Sequence, residues 1–147
     1  MTGDKVFVDS NVLLYAVDLR IPEKRDPSLA WMAHLWSRNA GRISWQVLVE
    51  FYANAIRKLK VPRDDARSVV RLYCEWNPSS PNAAAMERAW YWCDHARINF
   101  WDALILAAAE QAGCRWLLSE DFQAGQAFDG ITVVHPFTSS PGDFGLA

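Results

Sequence analysis

Four carboxylates stand where an acid is costly to keep. Asp9 directly follows the apolar run Val6-Phe7-Val8, and Asp121 follows Trp116-Leu117-Leu118 with only Ser119 and Glu120 between. Asp102 opens the run Asp102-Ala103-Leu104-Ile105-Leu106-Ala107-Ala108-Ala109, and Glu50 sits among apolar residues between Trp45 and Ile56. An ionised carboxylate in apolar surroundings must be paired, hydrogen-bonded or bound to a metal. If the runs ending at Asp9 and Asp121 are parallel strands of one sheet, both acids lie beyond its carboxyl edge, where ligands of such sheets bind. Plainer roles stand beside this one. Asp9 is a good helix N-cap ahead of Ser10-Asn11-Val12, and Asp121 is a good turn residue in Ser-Glu-Asp-Phe-Gln. Asp102 lies three residues after Asn99, so capping and the helix dipole favour it there, a role compatible with site chemistry. Gln46, Glu50, Asn54 and Arg57 form one helical stripe, which by itself reads as a solvated face.

The elements that must hold these acids alternate between strand and helix. Residues 5–8, 115–118 and 130–134 read as short strands, and 42–44 and 74–76 as briefer ones. Helical spacing covers residues 12–17, 29–39, 45–59, 63–72, 83–96 and 101–112. The last of these is apolar almost all round, which marks a buried helix. Such alternation implies an α/β layer architecture on a mainly parallel sheet of about four to five short strands. Nothing repeats, and the loop signal Asn77-Pro78-Ser79-Ser80-Pro81-Asn82 is too short to divide the chain. One domain over residues 1–138 is expected, with residues 139–147 a flexible tail after Ser139-Ser140-Pro141-Gly142.

Composition narrows the function classes. The 147 residues are 51% hydrophobic and 22% charged, as in soluble globular domains, and the formal charge of −2 provides no overall attraction to nucleic acid or membrane. An anionic substrate therefore needs a local patch or a bound cation. One local excess lies between Arg57 and Arg71, where Arg57, Lys58, Lys60, Arg63, Arg67 and Arg71 face only Asp64 and Asp65. It suits phosphates, as do Arg20 and Arg25, though a solvated helix face explains it as well. Cys74, Cys93 and Cys114 are odd in number and form no C-x-x-C pair, so buried free thiols in a reducing compartment are expected. Charges at Asp4, Lys5 and Asp9 interrupt any signal-peptide core, and no apolar stretch is long enough to span a membrane. A cytoplasmic protein is expected. Trp31, Met32, Leu35 and Trp36 form a stripe that suits core packing, with a groove for a partner helix as the alternative. His34, His95 and His135 show no metal-ligand spacing, and no Walker, G-x-S-x-G or G-x-G-x-x-G pattern occurs.

Taken in order, Phe7-Val8-Asp9-Ser10-Asn11-Val12-Leu13-Leu14, Glu50 in a helix, Phe100-Trp101-Asp102-Ala103-Leu104-Ile105 and Leu117-Leu118-Ser119-Glu120-Asp121-Phe122 resemble the PIN-domain ribonucleases. The similarity is greatest to the VapC-type toxins of type II toxin–antitoxin systems and runs from about Val6 to Phe137. It implies a PIN-like three-layer fold and a metal-dependent endoribonuclease that cleaves RNA as the toxin of such a pair. In this pattern Asp9, Glu50, Asp102 and Asp121 are the acidic metal ligands, and Asn11 orients water or substrate. Asn99 stands where many relatives carry Ser or Thr. Glu120 and Asp121 are adjacent and alternate in direction, so one faces the site; the match to the family block selects Asp121. Clustered carboxylates repel, and Mg²⁺ or Mn²⁺ relieves that repulsion, suits all-oxygen ligands and can activate a water. An antitoxin partner and a homodimer are further family expectations.

Two other readings compete. A phosphotransfer α/β protein also places Asp at a strand end, but a phosphatase of the familiar kind wants D-x-D where Asp9 is followed by Asn11, and no paired acids of a receiver domain appear. A non-catalytic binding protein with an acidic metal site is the other, and the presence of all four acids speaks against it.

Overall fold

A computed structural model describes residues 4–144. The first strand, β1 (Val6–Val8), is buried at every residue, as expected of a strand covered on both faces. It lies between β2 (Gly41–Arg42) and β3 (Trp116–Leu118), parallel to both, and β3 pairs in parallel with β5 (Ile131–Val134). The short β4 (Ala127–Phe128) closes the edge antiparallel to β5, giving the order β2-β1-β3-β5-β4. Parallel neighbours need crossovers, and helices supply them. Helices α1 (Ser10–Val17) and α2 (Pro22–Ser37) join β1 to β2. Four more, α3 (Trp45–Arg57), α4 (Arg63–Tyr73), α5 (Ala83–Ala96) and α6 (Phe100–Gln111), lead from β2 to β3. This is the expected α/β architecture, a mainly parallel sheet flanked by helices. One core unites the β1 and β3 strands with Leu35, Phe51 and the wholly buried stretch of α6 from Ala103 to Ala109.

Several local expectations need correction. Helix α2 begins seven residues earlier than the apolar pattern suggests, because Pro22 at its first position presets φ while Glu23, Lys24, Arg25 and Asp26 carry no apolar signal. Pro27, near the helix start, removes only one potential backbone bond. Residues 74–76 are not a strand. Cys74–Trp76 is a 3-10 turn continuing α4, and Asn77 ends it in the left-handed region at φ 52°. Strand β4 has no apolar run to announce it; the Asp129-Gly130 turn folds it back on β5, with Asp129 at φ 54°. The Trp31 stripe belongs to the core: Trp31, Met32 and Leu35 are buried, and the Trp31 indole N–H donates to the carbonyls of Pro136 and Ser139. Trp36 joins Tyr73 and Trp76 in an aromatic cluster. Residues 139–144 of the expected tail therefore begin at a core anchor, and Pro141–Phe144 forms a 3-10 turn with Pro141 buried. Residues 145–147 of that tail lie outside the described residues. Of the thiols, Cys114 is buried, Cys93 intermediate and Cys74 exposed, so burial holds for one. Among the described residues no helix is long and apolar enough to cross a membrane.

Gly41 lets β2 approach the aromatic cluster, since a Cβ there would run into the Trp76 six-membered ring. Gly41→Ala should therefore destabilise the domain by about 1–3 kcal/mol, the cost of overpacking. Urea denaturation checks this, and Gly130→Ala, where a Cβ meets nothing, is the control.

Candidate active site

The β1–β3 register builds the site. Val8 is paired with Leu118, and the Asp9 N–H donates to the Leu118 carbonyl at 3.0 Å, so the residues that follow each strand emerge together at the carboxyl edge. There Ser119, with no exposed surface, donates its hydroxyl to Asp9 Oδ2 at 2.7 Å. The same hydroxyl oxygen accepts from the Asp121 N–H at 3.0 Å and from Asn11 Nδ2 at 3.3 Å. Asp9 also caps α1, accepting from the Ser10 N–H at 2.7 Å. Asn11 bridges the two strand ends: its Nδ2 reaches Asp9 Oδ2 at 3.4 Å and its Oδ1 accepts from the Glu120 N–H at 3.2 Å. No motif in the sequence singles out Ser119. The available signal was the polar residue ending Trp116-Leu117-Leu118 opposite the acid that ends Val6-Phe7-Val8.

Helices α3 and α6 deliver the other acids. Ser44 caps α3, its side chain accepting from the Val47 N–H, and one and a half turns later Glu50 lies half-buried. The expected stripe is only partly self-satisfied: Asn54 Nδ2 donates to the Glu50 carbonyl and Arg57 to Asn54 Oδ1, but Glu50 Oε1 is buried with no hydrogen-bond partner. Asn99 caps α6 by accepting from the Asp102 N–H at 2.9 Å, and its Nδ2 donates to Asp102 Oδ2 at 2.8 Å. Capping and site membership thus coincide at Asp102.

The four acids feel one another. Burial, opposed by the Ser119 and Ser10 hydrogen bonds and reinforced by the Asp121 and Glu50 charges, pushes Asp9 up to about 7. Burial and the charges of Asp102 and Asp121 raise Glu50. Asp102 is raised by burial and by Asp121, against the Asn99 hydrogen bond. Glu120 behaves differently. Burial favours its neutral form, but Tyr15 and Lys24, at 2.8 and 3.0 Å, outweigh this and hold its carboxyl low. Of this adjacent pair, it is the exposed Asp121 whose charge bears on Asp9, Glu50 and Asp102.

The structure thus brings Asp9, Glu50, Asp102 and Asp121 to one end of the sheet, with Asn11 linking its strands. Among the described residues no three His, Cys, Asp or Glu side chains converge as a ready ligand set. An all-oxygen cluster with an unpartnered carboxylate oxygen has the donor chemistry of a hard divalent cation site. Of the expected phosphate contacts, Arg20 and Arg25 pair with Asp18 and Asp26, while Arg67 reaches Tyr52 Oη at 3.1 Å and lies 3.9 Å from the exposed Asp64.

The model of the PIN domain matches residues 6–127, most of the chain. The chain belongs to the PIN domain family. Solved PIN folds agree in architecture. A toxin–antitoxin complex from Klebsiella pneumoniae superposes with a TM-score of 0.63 at 20% identity, covering 90% of this chain and 98% of that one. VapC20 of Mycobacterium tuberculosis, described as a sarcin–ricin-loop-cleaving toxin, gives 0.59 at 21%, covering 80% and 92%. VapBC2 from Rickettsia felis, solved bound to a promoter DNA fragment, gives 0.63 at 14%, covering 87% and 96%. Comparison with curated protein sequences finds no match.

The Asp9 shift has a definite sign. With the folded value near 7 and the unfolded value at 3.8, the folded state binds the extra proton between them. Asp9 therefore favours folding most below pH ~4, and this contribution is lost as pH rises toward ~7. Denaturation in chelator at pH 5 and pH 8 should show stability falling by about 2–3 kcal/mol through this residue. Asp9→Asn should remove that part of the pH dependence.

Proposed function

We propose that this PIN protein is a divalent-metal-dependent endoribonuclease that hydrolyses RNA phosphodiester bonds as the toxin of a toxin–antitoxin pair. The observation that carries the reading is the buried Asp9, held at the carboxyl ends of β1 and β3 in electrostatic contact with other acids. Such an arrangement is destabilising for a purely structural site and well matched to a cation. Asp9, Glu50, Asp102 and Asp121 would hold Mg²⁺ or Mn²⁺, and Glu50 Oε1 has no competing donor to give up. The ion, when bound, supplies the positive charge that activates a water and shields the phosphate under attack.

The remaining work falls to the chain itself. Ser119 and Asn11 fix the Asp9 carboxylate, and Ser119 also anchors the backbone at Asp121. Asn99 orients Asp102. These are positioning residues. Lys24 and Tyr15 keep Glu120 engaged away from the acid cluster. The relatives solved as toxin–antitoxin complexes support a protein antitoxin as partner. A homodimer is the assembly we expect, and an RNA substrate together with free thiols favours action in the cytoplasm.

Incubation of antitoxin-free protein with total bacterial RNA, followed by 5′-end mapping, tests the reading. Discrete cuts should require Mg²⁺ or Mn²⁺ and vanish in chelator. Asp9→Asn, Asp102→Asn and Asp121→Asn should each lower the cutting rate about 100-fold or more. Glu120→Gln should leave it within a few-fold. A folded protein that yields no metal-dependent cuts would overturn the proposal.

Ser119→Ala gives a separate check on positioning. It should raise the Mn²⁺ concentration needed for half-maximal activity about 10- to 100-fold, as loss of a group that orients a ligand does. A drop in rate with unchanged Mn²⁺ dependence would remove Ser119 from that role.

A further inference from the structure

Beside the acid cluster the surface is unusually aromatic for a region lined by a carboxylate. An open trough of about 560 Å³ has Glu50 in its wall, together with Trp45 and Val49 of α3 and Trp101 at the start of α6. Val49 and Trp101 are each 63% exposed, and Trp45 is 39% exposed. A second trough, of about 420 Å³, shares Trp45 and Val49 and continues past Tyr52 to Arg67 and Arg71 of α4. The two share Trp45 and Val49 and so run from Glu50, across aromatic faces, to a pair of guanidinium groups. Gln46 Nε2 donates to the Trp101 carbonyl at 3.2 Å, fixing the start of α6 against α3 and hence the spacing of the two indoles. Tyr52 Oη similarly accepts from Arg67 Nε.

We propose that Trp45 and Trp101 form a stacking platform for unpaired bases of a single-stranded RNA. Arg67 and Arg71 hold the phosphates that follow. This inference rests on the ribonuclease reading and adds to it how this chain would hold the strand, with the bases turned outward onto the two indoles beside the cleaved bond. Grooves for single strands combine aromatic faces with cations along the backbone, because every base has a π-face and every nucleotide a negative charge. Trp, Tyr and Arg suit either kind of partner, but Glu50 at the end of the path is of a type depleted at the centre of protein interfaces, which favours a strand that leads its phosphates to the acids.

Fluorescence anisotropy with Ca²⁺ in place of Mg²⁺ tests the proposal, using a labelled mixed-sequence single-stranded RNA and an abasic oligoribonucleotide of equal length. The base-bearing RNA should bind more tightly than the abasic one. Trp45→Ala and Trp101→Ala should each reduce that base-dependent part about 5- to 100-fold, while Trp45→Phe and Trp101→Phe keep most of it. Arg67→Gln with Arg71→Gln should weaken both probes alike and flatten the salt dependence. Equal affinity for the two probes, no binding of either, or alanine variants that bind as the parent does would overturn the platform. So would alanine variants that change only the molar mass by light scattering, which would identify a protein interface instead. Base-dependent binding without metal-dependent cleavage would sink the nuclease and leave the platform standing. Cleavage with base-independent binding would do the reverse.

Discussion

The hydrogen bond from the Ser119 hydroxyl to Asp9 joins the ends of two adjacent parallel strands, and the rest of the site is arranged around it. It exists because β1 and β3 pair with Val8 opposite Leu118. Side chains alternate along a strand, so a slip of one residue would turn both polar ends to opposite faces of the sheet. The apolar side chains of β1 and β3, nearly all fully buried, make such a slip costly. Packing of the core therefore sets the position of the polar edge. That edge lies beyond the carboxyl ends of parallel strands, where helices diverge and leave room for ligands.

Charge is concentrated at this edge against the tendency of the fold. Asp9 is buried and raised by burial more than its hydrogen bonds lower it, and its acidic neighbours add to the cost. The chain offsets part of that cost locally. Helix caps at Asp9 and Asn99 satisfy backbone donors while holding the carboxylates of Asp9 and Asp102 in place. Glu120 shows the other outcome for an acid on the same loop: paired with Tyr15 and Lys24, it is stabilised in its charged form. Adjacent residues in sequence thus meet opposite surroundings, Glu120 among a cation and a hydroxyl and Asp121 among acids.

The solved PIN folds share this architecture at 14–21% identity, so the sheet order and crossovers tolerate nearly complete replacement of side chains. The surroundings of the acidic edge bear on what it can hold. Here those surroundings include indoles on α3 and α6 and guanidinium groups on α4. With a net charge of only −2, any attraction for a polyanion must come from such local features.

The sequence by itself determined the α/β class and the buried strands and α6, and it singled out the four acids as candidates, because each rests on local periodicity or on a residue type in an unfavourable place. It also paired Asn99 with Asp102, since capping acts within one turn. It could not extend α2 through its charged first turn or see β4, whose pairing comes from its partner rather than its own apolar pattern. Nor could it distinguish a strand from a turn at Cys74–Trp76, where aromatic packing decides. The family pattern prefers Asp121 to Glu120, and a physical difference between them comes from the tertiary structure, which brings Tyr15 and Lys24, about a hundred residues earlier, onto the Glu120 carboxylate. Only that structure revealed Ser119 as the hub and set Trp45 beside Trp101. Strand register and helix packing bring together residues far apart in the chain, and no pattern along one segment encodes which distant side chain it will meet.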